Sequence, residues 1–250
     1  MNDNHFKFTP SVLLIPFLLV LVLWILFWVD IRFHFNFNQF GIYPRTFSGL
    51  IGVICAPFLH GNLEHLYNNS IPLLVLLAAL HYFYRDLFYK ILVNGILVSG
   101  LITWFIGRES IHIGASSLIY VLVSFIFFKG IRTKYYRLVA LSLLVVLIYG
   151  SMVWYIFPNI KDGISWEGHL SGLITGFVFA LIYKTAEYKM LIKYDWEHPD
   201  YDASEDKFMQ RFDENGNFVN LPIIEEDPEN QTYYNSSQSV IYEFKEKKTD

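Results

Sequence analysis

Val12 to Val29 is a run of eighteen apolar residues without a single charge. A stretch of that length matches the roughly 20 residues that an α-helix needs to cross a bilayer. In lipid a chain must satisfy its backbone hydrogen bonds internally, so such a run folds as a helix. Few positive charges precede it and no small-residue cleavage site follows, which reads as a retained span and not as a signal peptide.

The run is one of several. Apolar segments recur at 11–29, 64–84, 87–106, 114–129, 136–157 and 168–185, which predicts six spans. With 54% hydrophobic and 18% aromatic residues and a mean hydropathy of +0.34, the chain is too apolar for an ordinary soluble domain. The expected fold class is all-α, a polytopic six-helix membrane bundle with a polar C-terminal tail. The lone Cys55 excludes a disulfide framework and a cysteine-rich metal site. No internal repeat is visible.

The net charge of −4 hides an asymmetry. Residues 1–194 hold 14 Lys/Arg against 8 Asp/Glu, whereas residues 195–250 hold 5 against 15. The sequence thus predicts a membrane domain over 1–194 and an acidic, disordered cytoplasmic tail over 195–250. An anionic inner leaflet would repel that tail into the cytoplasm. Asn230-Gln231-Thr232 and Asn235-Ser236-Ser237 match a glycosylation pattern, but a cytoplasmic tail would not be modified.

Orientation follows from Lys and Arg in the short connections. Lys7, Arg85, Lys90, Lys129, Arg132, Lys134, Arg137, Lys184, Lys189 and Lys193 fall on one side, and Arg32, Arg45, Arg108 and Lys161 on the other. Ten against four places both termini in the cytoplasm of a multi-pass protein of the plasma (inner) membrane. Trp28, Trp104, Trp154 and Trp166 fall near the outer boundary, where amphipathic rings prefer to sit. The connection from Asp30 to about Leu63 contains "SGLIGVICAPFL", too short to cross and too apolar for water. It is expected to lie partly in the outer leaflet.

With six spans starting inside, the second, fourth and sixth all descend from the outer boundary. Their first turns carry His65 with Asn69, Ser116 with Ser117, and His169. Topology alone brings these groups to one depth, and polar groups inside spans are functional candidates. A transporter or channel would place charges deep in the spans, where mostly Lys90 and Asn94 occur.

The decamer "HGNLEHLYNN" (His60–Asn69) invites a metal reading. On a continuous helix, however, His60 and His65 would stand about 140° apart, and no His-Glu-x-x-His occurs. No metal is expected. His65 and Asn69 are four apart, share a face and can donate to a developing oxyanion. Equally, Asn69, Ser70 and Pro72 can simply soften the start of a span.

In "HIGASSLIY", Gly114 and Ala115 leave room before Ser116 in the first helical turn. A serine there is either a helix cap or a nucleophile beside a helix N-terminus that favours negative charge. In "EGHLSGLITGF", Gly172 and Gly176 form a small-xxx-small pattern for close helix packing. His169 lies one turn before Gly172, so packing of that face on the fourth span brings it toward Ser116 as a general base. Tyr120, one turn below Ser116, can pack on the imidazole. The alternative makes His169 interfacial and the glycines mere packing.

These residues in this order resemble the rhomboid family of intramembrane serine proteases. The matching elements are His60-x4-His65-x3-Asn69, Gly114-Ala115-Ser116 and His169-x2-Gly172-x3-Gly176, over roughly residues 10–185. The resemblance implies a Ser116–His169 dyad without an aspartate. It implies an oxyanion hole of His65, Asn69 and the Ser116 backbone N–H, and supporting roles for Gly114, Tyr120, His60, Gly172 and Gly176. Arg45, in "YPRTF", resembles the family's first-loop arginine, a structural residue. The implied substrates and partners are single-span membrane proteins within the lipid bilayer, cut near the outer end of their span. Neither a cofactor nor a nucleic acid is implied. Two positions depart from the family pattern. Ser117 stands where a second glycine is usual, and Pro44 precedes Arg45 where tryptophan is common. The competing function is a catalytically inactive relative that binds membrane clients. Such relatives typically lose the serine or the histidine, and both are present here.

Overall fold

Uninterrupted runs of Leu, Val, Ile and Phe leave the backbone no competing polar partner, and the chain answers with helices. The computed structural model describes residues 6–160 and 163–185, together with 194, 196, 200–202, 204, 206, 208–213 and 215–219. It is 72% helix. Among the described residues no strand forms, only isolated bridges such as Ile42 with His112.

Among the described residues seven α-helices follow in chain order: α1 (Ser11–Phe33), α2 (Gly52–Cys55), α3 (Leu63–Phe83), α4 (Phe88–Ile106), α5 (Ser116–Thr133), α6 (Tyr136–Tyr149) and α7 (Trp166–Ile182). Among the described residues five helical segments are long and apolar enough to cross a membrane: α1, α3, α4 with the 3-10 turn before it, α5, and α6 with the 3-10 segment after it. The sixth, α7, is a shorter apolar helix of 17 residues. Together they form the all-helical membrane bundle.

Burial ranks the helices. The most hydropathic stretch of α5 is 56% buried, against 17% for α1 and for the α6 segment. Helix α5 therefore stands at the centre, packed most extensively on α7 and α6. Its buried Leu122, Phe125 and Ile126 join Leu76, Leu77 and Leu80 of α3 in one apolar core. The outward faces of α1 and α6, with Leu14, Phe17, Leu143 and Leu147 exposed, suit lipid, which solvates such side chains as well as a core does.

Two details go beyond the expected spans. The fifth span is found over Tyr136–Ile156, α-helical as far as Tyr149. It tightens to 3-10 geometry over Gly150–Ile156, beginning at the glycine, whose conformational freedom weakens a helix interior. Lys129, placed in an inner connection by its charge, is 5% exposed within α5. Its ammonium donates to the carbonyls of Ala180 and Tyr183, so it caps the C-terminal end of α7.

The first connection is held by Arg45. It adopts a positive φ of 57°, its N–H donates to the Trp104 carbonyl at 3.1 Å, and its guanidinium donates to the Gly107 carbonyl at 2.7 Å. Short helical turns over 48–58 follow, which supply internal backbone bonds to the apolar stretch expected at the outer leaflet.

By internal packing the chain divides into Met1–Met190 and Leu191–Asp250. The expected disorder of the acidic tail falls largely on residues outside those described. Within the second unit, Phe212 and Phe218 face each other across an antiparallel bridge, and Asp213 accepts the Asn217 N–H in the intervening turn at 2.8 Å.

Candidate active site

Helix α3 starts where its cap dictates. Asn62 has extended backbone angles and accepts the His65 N–H on its side chain at 2.7 Å, an N-cap arrangement. With Leu63 as the first residue, His65 and Asn69 lie one turn apart on the same face, and both line a cavity of about 670 Å³. That size is ordinary for a ligand site. The Asn69 Nδ2 is buried and has no acceptor among the described residues. A buried amide donor without an acceptor is costly, and it stands where an incoming oxygen would be welcome.

His60 corrects one inference. Because α3 begins after it, the 140° separation along a common helix does not apply. The loop folds the His60 ring back onto His65, with centroids 5.1 Å apart and planes at 65°. His60 is 3% exposed, and burial together with the neighbouring His65 lowers its pKa to about 4, against a smaller upward pull from the Phe58 carbonyl. It is therefore neutral at pH 7 and packs the loop against α3. Among the described residues no group of three or more His, Cys, Asp or Glu is placed to hold a metal ion.

The approach of α5 to α3 depends on Gly114. Its φ is +107°, and a Cβ there would lie 2.6 Å from His65 Nε2 and 3.4 Å from Asn69 Nδ2. Only glycine takes this backbone conformation without strain and leaves that space open. Gly114 N–H is anchored on the Ala56 carbonyl at 2.8 Å. Ala115 is the N-cap and Ser116 the first residue of α5, so the Ser116 N–H belongs to the set with no intrahelical acceptor. Ser116 lines the cavity. Ser117 turns to α7 instead: a Cβ on Gly172 would meet the Ser117 carbonyl oxygen at 2.2 Å, and one on Gly168 would come within 3.9 Å of the Ser117 Cβ.

Helix α7 carries the imidazole. A Cβ on Gly176 would lie 2.3 Å from the Val121 carbonyl oxygen, so Gly172 and Gly176 together let the α7 backbone rest directly on α5. That contact puts the His169 ring on Tyr120, stacked at 4.4 Å with planes 13° apart. The Tyr120 hydroxyl donates to the Met152 carbonyl at 2.5 Å. His169 Nδ1 lies 3.0 Å from the Tyr155 carbonyl. A carbonyl only accepts, so Nδ1 carries the proton, and in the neutral ring Nε2 is the nitrogen with a lone pair. His169 lines the same cavity as His65, Asn69 and Ser116. An imidazole with a basic Nε2, a hydroxyl at a helix start and two amide or imidazole donors are the parts needed for acyl transfer.

Four neighbours escaped sequence reasoning. The Glu167 side chain is 1% exposed and pairs with Arg108 at 3.5 Å. His112 and Ser165 are joined at 2.6 Å. Arg108, His112 and Ser165 line the cavity as well. Glu167 looks in the sequence like an acidic residue in a first helical turn, a solvated position that suits the helix dipole. Nothing local announces that it is buried.

Residues 48–186 match the family model described as Rhomboid domain. The chain is also 36% identical over 159 residues to an uncharacterized protein of Mycobacterium tuberculosis strain H37Rv, covering 60% of this chain and 65% of that one. It is 34% identical over 150 residues to an uncharacterized protein of Mycobacterium leprae, covering 56% and 59%. The chain thus spans less than two thirds of the length of these curated relatives.

Proposed function

The chain belongs to the rhomboid family, and from that premise we propose that it is a serine endopeptidase that cuts single-span membrane proteins near the outer end of their membrane segment. The observation that carries this reading is the shared cavity of Ser116, His169, His65 and Asn69, with the His169 proton committed to the Tyr155 carbonyl at Nδ1.

In this mechanism Ser116 Oγ attacks the scissile carbonyl while His169 Nε2 takes its proton, and the same imidazole protonates the leaving amine as the C–N bond breaks. Water, deprotonated by that imidazole, then attacks the Ser116 ester, which releases the acid and returns the proton to Ser116 Oγ. The tetrahedral oxyanion accepts from Asn69 Nδ2, His65 and the Ser116 N–H at the positive end of α5. Stacked Tyr120 holds the ring plane, the orienting task that an aspartate performs in soluble triads. The substrate helix has to unwind locally, because an intact span keeps its carbonyls bonded. No cofactor enters the scheme.

Ser116→Ala should abolish cleavage of a single-span reporter in proteoliposomes while leaving the thermal unfolding profile unchanged. Cleavage at the wild-type rate would refute the assignment.

A further inference from the structure

Glu167 is a carboxylate buried to 1% exposure in the first turn of α7. A charge so placed is strongly disfavoured unless paired and hydrogen-bonded. Its partner is Arg108, on the connection between α4 and α5. The Arg108 backbone N–H donates to Oε1 at 3.1 Å, the guanidinium Nη1 stands 3.5 Å from Oε2, and Nη2 donates to the Ile164 carbonyl at 2.6 Å.

A second link runs alongside. His112 Nε2 lies 3.1 Å from the Arg108 carbonyl, which makes Nε2 the donor and Nδ1 the acceptor in the neutral ring. Burial lowers the His112 pKa despite the Arg108 carbonyl, which favours that neutral form. The Ser165 hydroxyl therefore donates to Nδ1 at 2.6 Å, while its oxygen accepts the Gly168 N–H at 3.1 Å and caps α7. One network thus clamps residues 108–112 to residues 164–168.

Both ends of this network lead to the reacting groups. His169 follows Gly168 directly. Ser116 follows His112 by four residues, along a path fixed by the paired main chains of Ile42 and His112 and by the Gly114 anchor on Ala56. Little backbone freedom remains between the clamp and either group.

Building on the protease reading, we propose that Glu167 and Arg108 are positioning residues, whose ion pair sets the α7 N-terminus and its His169 against the loop that delivers Ser116. Stability alone would not require such a pair, since well-packed apolar residues often serve as well as a buried ion pair or better. What an ion pair with directed hydrogen bonds adds is a fixed geometry.

The test uses the full chain in proteoliposomes and compares wild type with Glu167→Gln, Arg108→Met and the double variant. Glutamine keeps the acceptor for the Arg108 N–H and removes the charge, so folding survives. For each, kcat and KM on a single-span reporter and the labelling rate by a fluorophosphonate are normalised to the folded fraction. The expected result is a fall in kcat and in labelling rate of roughly tenfold or more, since misplacement by about 1 Å can cost about 10²-fold. KM stays nearly constant, and the double variant is no worse than the poorer single. Unchanged kcat in folded Glu167→Gln and in the double variant would overturn the proposal. So would a rise in KM alone, which would make Arg108 a substrate contact. A wild type that neither cleaves nor takes label would instead overturn the protease reading, and the positioning role with it.

Discussion

The ring of Tyr120 lies flat on the imidazole of His169, centroids 4.4 Å apart and planes 13° from parallel. Each ring is tied to one short segment, Tyr120 to the Met152 carbonyl and His169 to the Tyr155 carbonyl. The 3-10 turns over Gly150–Ile156 therefore hold both rings, and the orientation of the base depends on a stack plus one hydrogen bond.

Tyr120→Phe retains the stack and loses one hydrogen bond worth about 1 kcal/mol. Its kcat on a membrane reporter should stay within roughly tenfold of wild type. Tyr120→Ala removes the platform, and misorientation should lower kcat by about 10²-fold with little change in KM. Equal losses in the two variants would assign the effect to the hydroxyl.

Gly172→Ala and Gly176→Ala place a methyl 2.2 Å and 2.3 Å from backbone oxygens of α5. Neither oxygen can move without the helix, so α5 and α7 separate. The expected cost is about 1–3 kcal/mol, read as a lower melting temperature in detergent, together with loss of cleavage. A variant with wild-type melting temperature and activity would show that the helices do not rely on this contact.

Gly114→Ala meets two obstacles, a positive φ that costs of order 1–3 kcal/mol for other residues and a Cβ position 2.6 Å from His65 Nε2. Because the clash falls on the proposed oxyanion donors, cleavage should fall further than the folded fraction does. Parallel losses of activity and folded protein would mean that strain alone is at work.

The charge distribution of the connections predicts that both termini lie inside. Single cysteines introduced at Lys7 and Lys184, in a chain with Cys55→Ala, should resist a membrane-impermeant maleimide in intact cells and react after lysis. A cysteine at Lys161 should react at once. The opposite pattern would reverse the bundle and place the cavity at the inner face.

Much of this arrangement was legible before any coordinates. Hydropathy alone locates the spans, because lipid leaves few alternatives to a helix. Spacing puts Tyr120 one turn below Ser116 and Gly172 one turn beyond His169, and helical geometry does the rest. What stayed hidden depends on chain path and burial. His60 turns toward His65 because the Asn62 cap ends the loop before the helix begins. Lys129 reads as a solvated charge, yet the C-terminal carbonyls of α7 receive its ammonium. Glu167 is concealed in the same way, since its partner Arg108 lies 59 residues away in sequence. Charge counting treats Lys129 and Glu167 like any other charges, and only packing reveals that both are enclosed.

The most direct measurement is the site of covalent modification. Wild-type protein in lipid, treated with a fluorophosphonate and digested for mass spectrometry, should carry the adduct on Ser116, with Ser117 unmodified and no adduct in His169→Ala. An adduct on Ser117, labelling that persists without His169, or no labelling of a folded wild type would contradict the proposed dyad.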